Sequence, residues 1–237
     1  MNNRDYKQFA SGSVYHLYNR GVGKMNIFLD EEDYLFFLRR MKEALYPLET
    51  KTMMPIAGQK QWASLLPRRR QLPPDTFSLL LYALMPSHFH LGIMQNTELP
   101  LSAFMSKICT SYSKYFNKKY GRVGSVFQDQ FKAVIVTSNE QLLWLVAYIH
   151  NNPIKAGLVK DLNKYPYSSH LDYIGARKGM LCKRGLILGQ YKSVENYVKD
   201  IMGFEENLLL DDLKIDSDDT DGHHLNETDD AHLHGKV

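Results

Sequence analysis

Residues Phe77 to Met94 read FSLLLYALMPSHFHLGIM. Two apolar runs flank Met85-Pro86-Ser87, and a proline between strand-like runs marks two strands joined by a tight turn. So short a connection predicts an antiparallel hairpin. Side chains along a strand alternate between faces, so His88 and His90 point one way and Phe89 the other. Phe89 can enter the core while both imidazoles share one surface. Two protonated imidazoles held together repel, whereas two neutral rings can share a cation. A plain strand that displays two histidines fits the same residues, and the pair alone does not separate the readings.

Upstream, Val14-Tyr15-His16-Leu17-Tyr18-Asn19-Arg20-Gly21 alternates and stops at a glycine, which predicts a first strand. His16 and Tyr18 share one face of it. Asn19, Arg20 and Lys24, in or beside the following loop, are candidates to meet phosphates or to serve as ordinary turn residues. Asp30 before EEDYLFFLRRMKEALYPL has the grammar of a helix start: a capping carboxylate, acids in the first turn, bases later. Tyr34, Phe37, Leu38, Met41 and Leu45 make its apolar stripe. Downstream, a helix over about 102–120 buries Phe104, Ile108, Tyr112, Tyr115 and Phe116 and leaves Lys107, Lys114, Lys118 and Lys119 for solvent or DNA. Tyr112 and Tyr115 are nucleophiles in principle, but aromatics at helical spacing read as core.

Phe131 to Thr137, FKAVIVT, is β-branched and reads as a third internal strand, with Lys132 near its start. Ser138 caps the next helix, and Pro153 predicts its end near Asn152, because a residue before proline avoids helical geometry. Tyr148 and Asn152 are four apart and share a face near that end. They read equally as a core tyrosine with a C-terminal cap. The order strand, helix, strand, strand, helix, strand makes two split βαβ halves. The fold expected is α+β: a ferredoxin-like four-stranded antiparallel sheet with helices on one face, the His88/His90 strand in its middle, and the last helix lying against it.

Around this unit the chain divides by composition. Residues 47–76 carry five prolines and no sustained periodicity, which predicts an inserted loop; Arg68, Arg69 and Arg70 inside it are candidates to grip a nucleic-acid backbone or simply an exposed basic stretch. Residues 1–175 form the main domain, 176–204 a C-terminal extension with a helix near 194–202, and 205–237 a disordered acidic tail. Eleven acidic residues and two lysines fall in that tail, so the body carries 27 basic and 15 acidic side chains, +12 against −9. A basic body favours a polyanionic partner. Two cysteines, Cys109 and Cys182, give no disulfide framework and no cysteine metal site. With no signal-like start and no apolar run near the ~20 residues of a membrane span, a cytoplasmic protein is expected.

Two imidazoles on one strand with a tyrosine and an amide on one helix point to metal-assisted phosphoryl transfer, the cation polarising a phosphate that the tyrosine attacks. At these residues the sequence resembles a known family. Met85-Pro86-Ser87-His88-Phe89-His90-Leu91 resembles the His-hydrophobic-His signature of single-tyrosine HUH transposases, the IS200-like insertion-sequence family. Tyr148-Ile149-His150-Asn151-Asn152-Pro153-Ile154-Lys155-Ala156-Gly157-Leu158-Val159 resembles the tyrosine-bearing helix, especially in the REP-associated branch. Tyr18-Asn19-Arg20-Gly21, Val126-Phe127-Gln128-Asp129-Gln130-Phe131-Lys132 and Tyr165-Pro166-Tyr167-Ser168-Ser169 resemble further typical stretches, so the likeness spans about 14–175.

The resemblance implies a DNA endonuclease and strand transferase that uses Mg²⁺ or Mn²⁺ and acts on single-stranded DNA beside hairpins of palindromic repeats, as a monomer or homodimer. By motif position, His88 and His90 would be metal ligands. Asn152 would be the third, where insertion-sequence relatives usually carry glutamine. Tyr148 would be the nucleophile that becomes linked to a 5′ phosphate and leaves a 3′ hydroxyl. The inserted loop is longer than the usual link, and the acidic tail is unusual for the family. Two other readings remain beside it: a domesticated nucleic-acid-binding protein that has lost its chemistry, and a phosphodiesterase whose nucleophile is water.

Overall fold

The computed structural model describes residues 9–46, 71–179 and 181–204. The expectations for 47–70 of the inserted loop, for Arg68, Arg69 and Arg70, and for the tail from 205 to 237 fall outside the described residues. The elements run β1 (Val14–Arg20), α1 (Glu31–Leu45), β2 (Phe77–Leu84), β3 (His88–Gln95), α2 (Leu101–Lys119), β4 (Lys132–Val136) and α3 (Asn139–Lys155). The strands form one antiparallel sheet in the order β2-β3-β1-β4. That order follows from two split βαβ halves that interleave, the ferredoxin-like arrangement.

The period-two pattern of the central strands decides what lies on each face. Tyr15 and Leu17 of β1 join Phe89, Leu91 and Ile93 of β3, and all five are buried against Phe37 and Met41 of α1 and Phe104, Ile108 and Tyr112 of α2. Each such side chain stabilises by about 1.5–3 kcal/mol when fully buried. On the opposite face Leu81 and Ala83 of β2 pack with Leu145, Tyr148 and Ile149 of α3. The helices of the ferredoxin-like unit thus cover one face, and the last helix crosses the other.

The predicted caps form. Asp30 accepts from the Asp33 N–H at 3.2 Å and completes a capping box with Asp33. Lys119, at the end of α2, is not given to solvent as its sequence position suggested. Its Nζ lies 2.7 Å from Asp30 Oδ1, 2.9 Å from Asp33 Oδ1 and 3.1 Å from Glu32 Oε2, fastening the two helices at one end. Lys107 is likewise buried rather than solvated, because its long alkyl stem can lie along packed surface. Tyr112 and Tyr115 are fully buried, with hydroxyls donating to Ile27 O and Asp33 Oδ1, so neither is placed to act as a nucleophile.

α3 starts as predicted, with Ser138 Oγ accepting from the Gln141 N–H at 3.2 Å. It does not stop before Pro153 but runs to Lys155. The proline costs only one donor in the last turn, and the carbonyls there find other partners. Ala156 N–H donates to Asn152 O at 2.9 Å and Leu158 N–H to Pro153 O at 3.0 Å, with Gly157 at φ +66° closing the helix.

The extension adds α4 (His170–Tyr173), α5 (Gly185–Leu188) and α6 (Val194–Met202). It closes the outer edge of β2: Leu84 N–H donates to Tyr167 O at 2.9 Å and Ser169 N–H to Tyr82 O at 2.9 Å. A buried chain of hydrogen bonds then ties it to α3. His150 Nε2 meets Ser169 Oγ at 2.7 Å, and His150 Nδ1 meets Tyr197 Oη of α6 at 2.7 Å. Because Ser169 Oγ donates onward to Tyr82 O, a consistent set of protons has His150 Nε2 donating and Nδ1 accepting.

Candidate active site under the last helix

The alternation that sends Phe89 into the core sends His88 and His90 to the face that α3 crosses. β1 pairs with β3 so that Tyr18 stands opposite His90 and Arg20 opposite His88. His16, two residues before Tyr18, therefore sits diagonally from His90. Its Nε2 is 2.9 Å from His90 Nδ1, and both rings are fully buried. The His88 and His90 rings lie 5.0 Å apart and nearly perpendicular, with His88 Nδ1 held 3.0 Å from Ser87 Oγ. A metal bond from His88 would therefore use Nε2. His90 Nε2 is buried and has no hydrogen-bond partner.

α3 sets Tyr148 against this pair. Its ring centroid lies 5.6 Å from that of His90 and 6.0 Å from that of His16, edge to face in both cases. Trp144, one turn back, stacks on it at 5.0 Å and fixes the ring. One turn on, Asn152 donates its amide to Tyr148 O at 3.2 Å, which directs Oδ1 away from the helix backbone. The site thus gathers Tyr148, His88 and His90, with Asn152 on the same helix face as Tyr148. Among the described residues no group of three or more His, Cys, Asp or Glu side chains is arranged to hold a metal. A cation here would rest on two imidazoles and one amide oxygen, completed by water or substrate.

Burial keeps the His16 and His90 rings neutral, the form in which an imidazole ligates a metal. It pushes His16 down to about 3. It also pushes His90 well below the usual imidazole range, with His88, His16, Arg20 and Lys155 adding to the effect through their charges. Arg20 is half-buried at the His88 end of β1. Asn19, by contrast, uses its side chain within the protein: Nδ2 donates to Asp129 O at 3.1 Å and Oδ1 accepts from the Arg20 N–H at 2.8 Å. Lys24 is exposed, in a left-handed conformation in the turn after β1, and Lys132 is exposed at the start of β4.

Two residues of the site were not singled out from sequence. Lys155 places Nζ 5.0 Å from the centre of the Tyr148 ring. Its spacing of seven from Tyr148, two helical turns, is a signal that the expected stop at Asn152 hid. His16 shares a strand face with Tyr18 in the sequence, but only the strand register brings it to His90.

Residues 71–152 match the family model described as transposase, IS200-like. No curated protein matches the chain. Among solved structures the chain is similar to a REP-associated tyrosine transposase bound to a REP hairpin, at 15% identity with a TM-score of 0.50, over 73% of this chain and 86% of the other. At that identity the likeness speaks for the fold. A putative transposase from Deinococcus radiodurans R1 matches at 11% identity over 61% of this chain and 94% of the other, but its TM-score of 0.35 is too low to weigh. No helix among the described residues is long and apolar enough to cross a membrane. The matched segment runs from the β2–β3 hairpin to Asn152 and so contains the histidine pair, the tyrosine and the helix between them; over that segment the chain is similar to IS200-like transposases.

Proposed function

We propose that this chain is a transposase that nicks and transfers single-stranded DNA beside a hairpin, with Tyr148 as nucleophile. The observation that carries the reading is the meeting of Tyr148 on α3 with His90 across the sheet face, at 5.6 Å between ring centres. His88 and His90, through Nε2, and Asn152, through Oδ1, fit a Mg²⁺ or Mn²⁺ ion. The fit rests on His90 Nε2, a buried nitrogen that lacks any other partner. The bound ion would draw charge from the non-bridging oxygens of the scissile phosphate.

The protein supplies the rest. Tyr148 Oη forms the new bond to phosphorus while the bond from phosphorus to the 3′ oxygen breaks. The phenol gives up its proton, and the leaving oxygen takes one and departs as a 3′ hydroxyl. The 5′ phosphotyrosine keeps the phosphoester energy for rejoining, so strand transfer needs no nucleotide cofactor. Trp144 holds the ring at one angle, and Lys155 and Arg20 place positive charge around the reacting phosphate. Asn19, Lys24, Arg68, Arg69, Arg70 and Lys132 remain proposed DNA contacts. Residues 1–175 would form the catalytic domain, the extension would brace α3, and the tail would shield the basic body from nonspecific DNA.

The test is a cleavage assay on single-stranded oligonucleotides carrying the palindromic repeats that flank the gene, with Mn²⁺ or Mg²⁺. Wild type should give a covalent protein–DNA band and Tyr148→Phe none. Cleavage that survives Tyr148→Phe would make water the nucleophile. Hairpin binding with no covalent band in either metal would make the chain a domesticated DNA-binding protein.

A further inference from the structure

His16 has no part in the chemistry above, yet among the described residues it alone hydrogen-bonds the His90 ring. A nitrogen–nitrogen separation of 2.9 Å between two imidazoles requires one proton between them. There are two ways to arrange it. If His16 Nε2 carries the proton, His90 must hold its own on Nε2, and that nitrogen cannot ligate. If His90 Nδ1 carries it, His90 Nε2 presents a lone pair and His16 Nδ1 holds the second proton.

The two remaining nitrogens, His16 Nδ1 and His90 Nε2, are both buried without hydrogen-bond partners. A cation relieves the second of these only in the second arrangement. We infer that His16 is a positioning residue: it accepts the Nδ1 proton of His90, fixes the tautomer, and aims Nε2 at the divalent cation. This rests on the reading of His90 as a metal ligand and deepens it. Ligating histidines commonly donate their other N–H to a carboxylate, a carbonyl or water; here the acceptor is another imidazole. The surroundings suit that task. His16 is fully buried, stacks on Tyr18 at 4.9 Å, and meets the Tyr148 ring edge to face, so its ring is gripped on several sides.

Three measurements on the full chain test this. The first is the imidazole ¹⁵N spectrum of the metal-free protein, which reports the tautomer directly; His90 should be found as the Nδ1–H form. The second is Mn²⁺ binding without DNA, followed by the electron paramagnetic resonance of the free ion. His16→Phe keeps a ring but has no acceptor, and it should weaken Mn²⁺ by about 10–100-fold. His16→Gln, whose amide oxygen can accept, should recover most of that loss. The third is hairpin binding in EDTA, which shows that each variant is folded.

A His16→Phe protein that binds the hairpin normally and Mn²⁺ as wild type does would overturn the inference, as would an Nε2–H tautomer of His90 in the metal-free wild type. If His16→Phe does not fold, the wild-type tautomer and His16→Gln decide. His90→Ala separates this outcome from failure of the parent reading: unchanged Mn²⁺ affinity in that variant would remove His90 from the ligands altogether.

Discussion

On the face of the sheet covered by α1 and α2, Tyr15, Leu17, Phe89, Leu91 and Ile93 meet aromatic and aliphatic side chains. On the face crossed by α3, His16, Tyr18, His88 and His90 from the same two strands meet Tyr148 and one another. Both faces are buried, so burial does not distinguish them. What differs is the chemistry of the polar atoms they bury. The α1/α2 side leaves Arg40 Nε and Ser111 Oγ without partners, whereas the α3 side leaves two imidazole nitrogens, His16 Nδ1 and His90 Nε2, the atom type that binds cations. Each orphan costs about 1–3 kcal/mol. On the proposed function a bound cation would relieve His90 Nε2, so this face would serve binding while the other serves stability. Because strand side chains alternate, a slip of one residue would exchange the two sets, and this ties register to function.

The largest effect should come from breaking the α3 face. His88→Ala or His90→Ala is expected to lower metal-dependent cleavage by about a thousandfold or more, roughly 4 kcal/mol of barrier, while hairpin affinity stays within a few-fold. Single-turnover kinetics with Mn²⁺, beside binding measured in EDTA, would check it. Normal cleavage in either variant would move the chemistry elsewhere. The opposite face should answer the other way. Phe89→Ala removes a fully buried ring between the two helices and should cost about 3–5 kcal/mol in urea unfolding. The fraction that stays folded should cleave at the wild-type rate. A cost under about 1 kcal/mol would mean that Phe89 carries little of the core.

The part of this contrast that depends on local pattern was legible in the sequence. His88-Phe89-His90 declared its two faces by alternation, Met85-Pro86-Ser87 declared the turn, and Asp30 and Ser138 declared helix starts that form as expected. What could not be read depended on contacts between distant residues. The 2.9 Å approach of His16 to His90 is set by the register of β1 against β3, which neither strand encodes alone. The capture of Lys119 by Asp30 and Asp33 similarly needs two helices side by side. The continuation of α3 past Asn152 was missed for a different reason. The rule about the residue before proline is a preference, and the last turn can overrule it when its carbonyls have other donors. That miss concealed Lys155.

A smaller effect is expected with pH. His16, His90 and His150 are held neutral by burial, each below the ~6.5 of an unfolded histidine. Below that pH the unfolded chain takes up protons that the folded chain refuses. Stability is therefore fully present above about pH 6.5 and falls as the solution is acidified, by about 1.4 kcal/mol per pH unit for each such histidine. The cost of Phe89→Ala should not change over the same range, which sharpens the contrast between the faces. His150→Gln isolates one of the three: relative to wild type, its loss of stability between pH 7.5 and 5 should be about 2 kcal/mol smaller. Equal losses would mean that His150 is protonated in the folded protein.

The smallest effect concerns Lys155, and it separates two uses of one ammonium group. The group lies 5.0 Å from the Tyr148 ring and 5.4 Å from the Phe204 ring, so it already interacts with two π faces without DNA. If that is its whole role, Lys155→Ala should trim stability by up to about 1 kcal/mol and leave the salt dependence of DNA binding unchanged. If it also meets a phosphate next to Tyr148, one released counterion disappears, and the slope of log affinity against log salt should flatten by about 0.7 for a single strand. The second outcome is expected, because the charge of Lys155 is felt at His90, where the phosphate would be held. Titrations of a hairpin oligonucleotide at several salt concentrations, wild type against Lys155→Ala, would show it. An unchanged slope would confine Lys155 to holding the tyrosine ring and leave Arg20 as the nearer candidate for phosphate contact on this face.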